Sequence, residues 1–355
     1  MSDVQKRVLF ILNPISGSVK KARVAEQIEQ YVDRSVIAHD VRYTEYAGHA
    51  TEIAAEAAGQ GYDIVVAVGG DGTINEVGKA LVHTNTAMGI IPCGSGNGLA
   101  RHLMLPLNVK KTIEIINSLE IHTLDYGTIN GHPFFCTCGM GFDAFISMKF
   151  ANGGKRGAAR YVKLVLQEGL RYQPDNYTLT FLPLDDEGKP TQPEELTIEH
   201  NAYVITCANA SQYGNNAYIA PQASMSDGIM DIVVMQKFNF LDAPQMGFDM
   251  MNKTMDKSCK VTTYKTKRVR IHRSSPAPVH YDGDPTEMGC DLDIALIEKG
   301  IHVVVNPDAD PKRRHPNRFQ TATAAAFNRF TASRAYINNR VRKGGKGNNA
   351  DEKQA

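Results

Sequence analysis

The side chains best placed for chemistry lie in Gly69-Gly70-Asp71-Gly72-Thr73-Ile74-Asn75-Glu76, directly after the apolar run Val65–Val68. A strand that breaks into glycines before a helix brings backbone N–H groups and a helix N-terminus to one point, which suits anionic phosphate. Such a junction is also ordinary tight-turn chemistry in α/β proteins. Asp71 separates the two readings, because an acid among phosphate-binding glycines repels phosphate unless it works through a metal ion. A second loop, Cys93-Gly94-Ser95-Gly96-Asn97-Gly98, follows another short apolar run. It is neither G-x-G-x-x-G nor a P-loop. No lysine is placed as a phosphate cation; Arg101 is the nearest candidate, with Mg²⁺ as the main neutralising charge.

Phosphoryl transfer also needs a carboxylate to orient or deprotonate the nucleophile. Three places offer one. His280-Tyr281-Asp282-Gly283-Asp284-Pro285 sets two acids around a glycine, which is equally a solvated turn. Ala220-Pro221 followed by Ser226-Asp227-Gly228-Ile229-Met230-Asp231 could bind a cation through Asp227 and nearby carbonyls, or simply lead into the next strand. Asp125 is the third candidate, and equally a linker residue.

The elements that must position these groups change character midway. Val8–Leu12 reads as a first strand, followed by turn residues Asn13 to Ser18 and a helix over 19–32. Lys20, Lys21 and Arg23 at its start are either surface charge or partners of an anion held there. A strand at Val36–Thr44 and helices at Ala50–Gln60, Thr73–Val82 and Val109–Leu119 complete an alternating pattern. Alternation predicts a parallel sheet with helices on both faces, and ligands at the C-terminal strand ends. Asn13 to Ser18, Tyr43-Thr44 and Gly69 to Thr73 all fall at such ends.

From Thr128 the texture is β: the Ile129-Asn130-Gly131-His132 turn, then runs at 177–182, 196–208, 230–235, 267–272, 292–297 and 302–306, with one helix at about Arg160–Leu170. This predicts a nucleotide-binding α/β domain over 1–127, an antiparallel β-sandwich for the substrate over 128–306, and a tail over 307–355.

Composition fits a globular protein: 355 residues, 42% apolar, 22% charged. The net charge of +1 gives no overall field for nucleic acid. The tail differs, with ten Lys/Arg and no Asp or Glu between Lys312 and Lys346. It predicts a helix over about Gln320–Arg340, a disordered end from Gly344, and contact with an anionic membrane surface, set against a merely solvated tail. Six scattered cysteines read as buried thiols in a reducing compartment. The N-terminus has no signal-peptide core, and no apolar run reaches the ~18 residues of a bilayer span. The expectation is a cytoplasmic protein, peripheral where it meets a membrane. Oligomeric state leaves no mark on the sequence.

Taken in order, Asn13-Pro14-x-Ser16-Gly17, Thr44, Gly69-Gly70-Asp71-Gly72-Thr73-x-Asn75-Glu76, Pro92-x-Gly94-Ser95-Gly96-Asn97, Asp125, Ala220-Pro221 to Asp227-Gly228 and Asp282-Gly283-Asp284 resemble the diacylglycerol kinase catalytic-domain family, which includes bacterial lipid kinases, sphingosine kinases and ceramide kinases. The resemblance spans about Val8 to Asn306. It implies a Rossmann-like, phosphofructokinase-like α/β domain, a β-sandwich, and a cleft between them where ATP and Mg²⁺ meet the hydroxyl of a membrane lipid, such as diacylglycerol or a sphingoid base. It implies that Asn13, Ser16, Gly17, Thr44, Gly69 to Thr73, Asn75, Glu76 and Gly94 to Asn97 form the ATP side. Asp284 would be the proton acceptor, and Asp71, Asp125 and Asp282 the surrounding carboxylates. A structural Mg²⁺ would sit on Asp227 with the Ser224 and Ile229 carbonyls. Two positions depart from the pattern: Gly98 stands where many bacterial members carry Asp, and Asp284 where many carry Glu. The rivals are a soluble-metabolite kinase of the NAD kinase kind, which shares Gly-Gly-Asp-Gly-Thr, and a lipid- or nucleotide-binding homologue without turnover.

Overall fold

A computed structural model of the chain describes residues 5–14, 21–153, 158–169, 171–238, 242–310, 316–317 and 320–325. In chain order the elements are β1 (Lys6–Leu12), α1 (Lys21–Tyr31), β2 (Ile37–Tyr43), α2 (His49–Gly59), β3 (Ile64–Gly69), α3 (Asp71–Leu81), β4 (Ala87–Pro92), α4 (Gly98–His102), α5 (Val109–Asn117), β5 (Ile121–Ile129), β6 (His132–Phe134), β7 (Thr137–Gly141), α6 (Phe142–Ala151), α7 (Ala158–Glu168), β8 (Asp175–Phe181), β9 (Leu196–Ala202), β10 (Val204–Ala208), β11 (Met230–Met235), α8 (Ala243–Met251), β12 (Val261–Thr266), β13 (Arg268–Arg273), β14 (Ala277–Tyr281), β15 (Asp284–Met288) and β16 (Asp291–Val304).

The apolar runs of β1, β3 and β4 are buried on both faces, as parallel strands between helix layers must be. They pair in the order β2-β1-β3-β4, all parallel. Helices pack on either side through two separate apolar clusters, one around Leu9, Val65 and Ile74 and the other around Phe10, Ile28 and Ile113. The expected α/β half is therefore present.

The second half is a sandwich of two antiparallel layers. One follows β16-β13-β8-β9, with β5 also on β16 and β6 on β5; the other runs β12-β11-β10-β7-β14-β15. Leu179, Phe181, Val269 and Ile294 from the first layer meet Met140, Ile205, Cys207 and Ile232 from the second in one core. The halves share a sheet, because β16 continues alongside β4 in parallel at Val303 and Met88. The runs at 292–297 and 302–306, read as two strands, are one strand interrupted by a bulge between Ile297 and Ile301. The run at 196–208, read as one, divides at Tyr203, where the chain leaves the first layer for the second.

Two helices escaped the sequence reading. α6 is apolar around much of its circumference and carries the aromatic residues that suggested strand, while α8 begins at Ala243-Pro244, an ordinary helix-start signal. Among the described residues all six cysteines are free; Cys259 is exposed rather than buried, and Cys290 is intermediate. No helix among the described residues is long and apolar enough to cross a membrane. Of the proposed tail helix only 320–325 is described, and it is helical; the remainder lies outside the described residues.

Candidate active site

Two strand-to-helix loops, β3–α3 and β4–α4, touch through their backbones. A Cβ on Gly94 would lie 2.7 Å from the Gly70 Cα, and one on Gly69 would lie 2.5 Å from the Thr73 Oγ1. A side chain on Gly94 would drive the loops apart, and one on Gly69 would collide with Thr73 at the start of α3. Asn13, at the end of β1, donates from Nδ2 to the Thr73 Oγ1 at 3.1 Å, and the Thr44 N–H donates to the Leu12 carbonyl at 2.9 Å. The C-terminal ends of β1, β2 and β3 thus converge where doubly wound sheets bind ligands. Ser95 is exposed at the tip of the second loop. Ser16 and Gly17 lie outside the described residues.

Gly72 behaves differently from its neighbours, since a Cβ there would meet nothing within 4 Å. It faces the open side of the loop. Gly72→Ala is therefore expected to leave thermal stability unchanged while weakening nucleotide binding by roughly tenfold, a shift of about 1.4 kcal/mol readable by titration calorimetry. Binding equal to that of the parent chain would remove Gly72 from the nucleotide path.

Asp71 opens α3 and turns its carboxylate toward the second loop. Oδ2 accepts the Asn97 N–H at 2.9 Å and Oδ1 the Gly98 N–H at 2.7 Å. Burial raises its carboxyl pKa, and these donors oppose the rise. Asn97, left-handed at φ 52°, closes its own loop by accepting the Gly94 N–H and donating to the Gly94 carbonyl. At the Gly98 departure a Cβ would come within 3.2 Å of the Tyr213 carbonyl, a close contact. Arg101, the nearest candidate cation, braces the loop. Its Nε donates to the Gly96 carbonyl at 3.0 Å and its Nη1 to the Asn216 Oδ1 at 3.3 Å. The Asn215 N–H also reaches the Gly96 carbonyl, so residues from the sandwich hold this loop from behind.

The acid turn has equally specific geometry. Asp282 (φ 50°) and Gly283 (φ 88°) both take positive φ between β14 and β15, the two-residue hairpin that an Asp-Gly pair favours. The Asp282 carboxylate accepts four donors: Phe135 N–H at 2.8 Å, Cys136 N–H at 2.7 Å, Thr137 N–H at 3.1 Å and Asn75 Nδ2 at 2.8 Å. Four donors fill the carboxylate's acceptor sites, so Asp282 is a joint between α3, the 135–137 backbone and the hairpin. Burial raises its pKa, against the pull of those same donors. Asp284, two residues on, is exposed at the start of β15. The Cys136 thiol, pushed well up by burial, is raised further by both Asp282 and Asp71. One buried group thus feels carboxylates from both halves of the chain.

Asn75 and Glu76, expected at the nucleotide, hold the frame. Asn75 joins α3 to Asp282, as above. Glu76 accepts the Gly48 N–H at 3.0 Å and the Ala50 N–H at 3.3 Å, capping the N-terminus of α2. Asp125 is also committed to backbone, with Oδ2 accepting the Gly228 N–H at 3.0 Å and Oδ1 the Lys299 N–H at 2.7 Å. It ties β5 to the Asp227 turn and to the β16 bulge. Among the described residues no group of three or more His, Cys, Asp or Glu is arranged to hold a metal.

The sequence reading overlooked Asp143. At the start of α6 it accepts from Tyr213 OH at 3.0 Å and pairs with His280 Nε2 at 3.0 Å, all three groups lying inside the protein. Gly139 has no side chain to spare, since its Cβ would lie 2.5 Å from the Asp143 Oδ2. This network anchors β14 immediately before the acid turn. No spacing rule signals it, because its members come from α6, β14 and the 211–218 loop.

Fold and site together define an α/β domain whose glycine loops are joined to an acid-bearing sandwich. Residues 7–129 match the family model for the diacylglycerol kinase catalytic domain, and 137–291 that for the YegS C-terminal NAD kinase beta sandwich-like domain. A diacylglycerol kinase of Bacillus subtilis (strain 168) is 28% identical over 84% of this chain and 96% of its own length. One from Mycobacterium tuberculosis (strain H37Rv) is 31% identical over 65% of this chain and 73% of its own. The crystal structure of a putative diacylglycerol kinase from Bacillus anthracis str. Sterne superposes with a TM-score of 0.66 at 19% identity, covering 85% of this chain and 98% of that one, a likeness of fold. The chain belongs to the diacylglycerol kinase catalytic-domain family, with its YegS-like lipid kinases.

Proposed function

We propose that this protein transfers the γ-phosphoryl group of ATP to the hydroxyl of a membrane lipid, with Asp284 as proton acceptor. The observation that carries the reading is the Asn75–Asp282 hydrogen bond, between residues 207 positions apart. It fixes the acid turn to the helix that begins in the glycine loop, which supports a role for the neighbouring Asp284 at the phosphates while Asp282 is saturated. The lipid hydroxyl gives its proton to Asp284 as its oxygen attacks the γ-phosphorus in line. The backbone N–H groups of Gly70 to Thr73 and of Ser95 and Gly96 receive the negative charge of the phosphates. Asp71 has one donor on each oxygen, which leaves acceptor capacity on both. That suits a Mg²⁺ held between Asp71 and the nucleotide. When bound, such an ion supplies positive charge to the phosphates.

The deciding experiment is transfer from labelled ATP to diacylglycerol, a sphingoid base and NAD in parallel. A phosphorylated lipid in either of the first two arms is the expected result; product only with NAD, or none at all, overturns the proposal.

Because the substrate lies in a bilayer, the tail's ten cations are also part of the proposal. Each surface Lys or Arg adds about 1 kcal/mol at an anionic membrane. Co-sedimentation with phosphatidylserine-containing vesicles is expected to fall sharply when the chain ends at residue 310. Equal binding by both lengths would dispose of the tail's role.

A further inference from the structure

The family resemblance puts a structural divalent cation on Asp227 with the carbonyls of Ser224 and Ile229, and the residues around Asp227 fit that ion poorly. Asp227 folds back on its own turn, Oδ1 accepting the Ile229 N–H at 3.0 Å. A cation is already nearby. Lys265 on β12 stands directly opposite Asp231 on β11, with its Nζ 3.9 Å from the Asp231 carboxylate and 3.0 Å from Asp186. The Asp231 side chain is only 4% exposed, so its charge needs a counter-charge close at hand. The Lys265 charge reaches Asp227 as well, lowering its carboxyl pKa against the rise caused by burial.

The chain brings the third acid in deliberately local fashion. The Leu184 N–H donates to the Lys265 carbonyl at 2.8 Å, and the polar turn after it packs back, Gly188 lying against the Ile229 side chain. Asp186 on that turn thereby closes over the ammonium. A divalent ion seated at Asp227 would share this cluster with the Lys265 charge and be repelled by it.

We propose that the Lys265 ammonium is the resident cation of the Asp186–Asp227–Asp231 cluster, in place of a divalent ion, and that the sandwich is folded independently of metal. Any metal requirement of the protein then belongs to the nucleotide side alone. The inference rests on family membership and not on which acceptor is phosphorylated, and its test reads no activity.

The test is thermal unfolding of the nucleotide-free full chain in EDTA, Mg²⁺ and Ca²⁺, with Mn²⁺ binding followed by electron paramagnetic resonance. The parent chain is expected to unfold at the same temperature in all three conditions. Asp227→Asn should leave its Mn²⁺ binding unchanged, since any ion at Asp71 is untouched. Lys265→Met should unfold earlier in EDTA and recover with Mg²⁺ or Ca²⁺, and adding Asp227→Asn should abolish that recovery. A saturable rise in the parent's unfolding temperature with Mg²⁺ that Asp227→Asn removes would overturn the proposal. So would a Lys265→Met chain as stable in EDTA as the parent. If Lys265→Met does not fold, Lys265→Arg, which keeps the charge, is expected to match the metal-indifferent parent; a metal-dependent Lys265→Arg contradicts the proposal.

Discussion

Asp284→Asn is expected to lower the turnover of lipid phosphorylation by roughly 10²–10⁴-fold, the usual worth of a positioned general base. The KM for ATP and the unfolding temperature should stay close to those of the parent. The expectation follows from exposure: Asp284 lies at the open start of β15, opposite Tyr281 in register. The glycine loops and the Asn75 bridge do not run through its carboxylate. Aspartate is one methylene shorter than the glutamate many relatives carry, so Asp284→Glu tests reach; it should retain most of the activity. Near-full turnover by Asp284→Asn would remove the proton acceptor from this position.

Asp282→Ala should act the other way, through stability first. It strips the acceptor from the Phe135, Cys136 and Thr137 N–H groups and from the Asn75 amide, all within the protein. Each stranded donor costs about 1–3 kcal/mol. A loss of at least ~3 kcal/mol corresponds to a fall on the order of 5–10 °C in a chain of this size. Activity should fall with it, because the hairpin carrying Asp284 loses its tie to α3. Asn75→Ala should reproduce a smaller part of both effects. An Asp282→Ala protein that unfolds with the parent yet is inactive would transfer the base role to Asp282.

What the sequence disclosed was local. The β3–α3 and β4–α4 loops were legible because glycines after a buried run have few other uses. The Asn130-Gly131 and Asp282-Gly283 hairpins were legible because both residues of each pair take positive φ. The role of each acid was not. Asp282 and Asp284 are chemically identical and two positions apart, and the backbone of 135–137, leading into β7, together with the Asn75 amide tells them apart. Glu76 reads as a site residue until α2 is seen to start on it. Gly98 reads as a missing acid until Tyr213 is found against it. Lys265 carries no motif at all, and its meaning comes from the strand pairing that sets it opposite Asp231. The bulge that makes one strand of two runs likewise depends on Asp125, which reaches the Lys299 N–H from a different strand.

The central claim is that the glycine loops and the acid turn face one reaction. A crystal structure with a non-hydrolysable ATP analogue and Mg²⁺ tests it most directly. The phosphates are expected along the N–H groups of Gly70 to Thr73 and of Ser95 and Gly96, with the γ-phosphate on the open side of Gly72 and the Asp284 carboxylate turned toward it. Phosphates bound elsewhere, or an Asp284 carboxylate directed away from the γ-phosphate, would contradict the account.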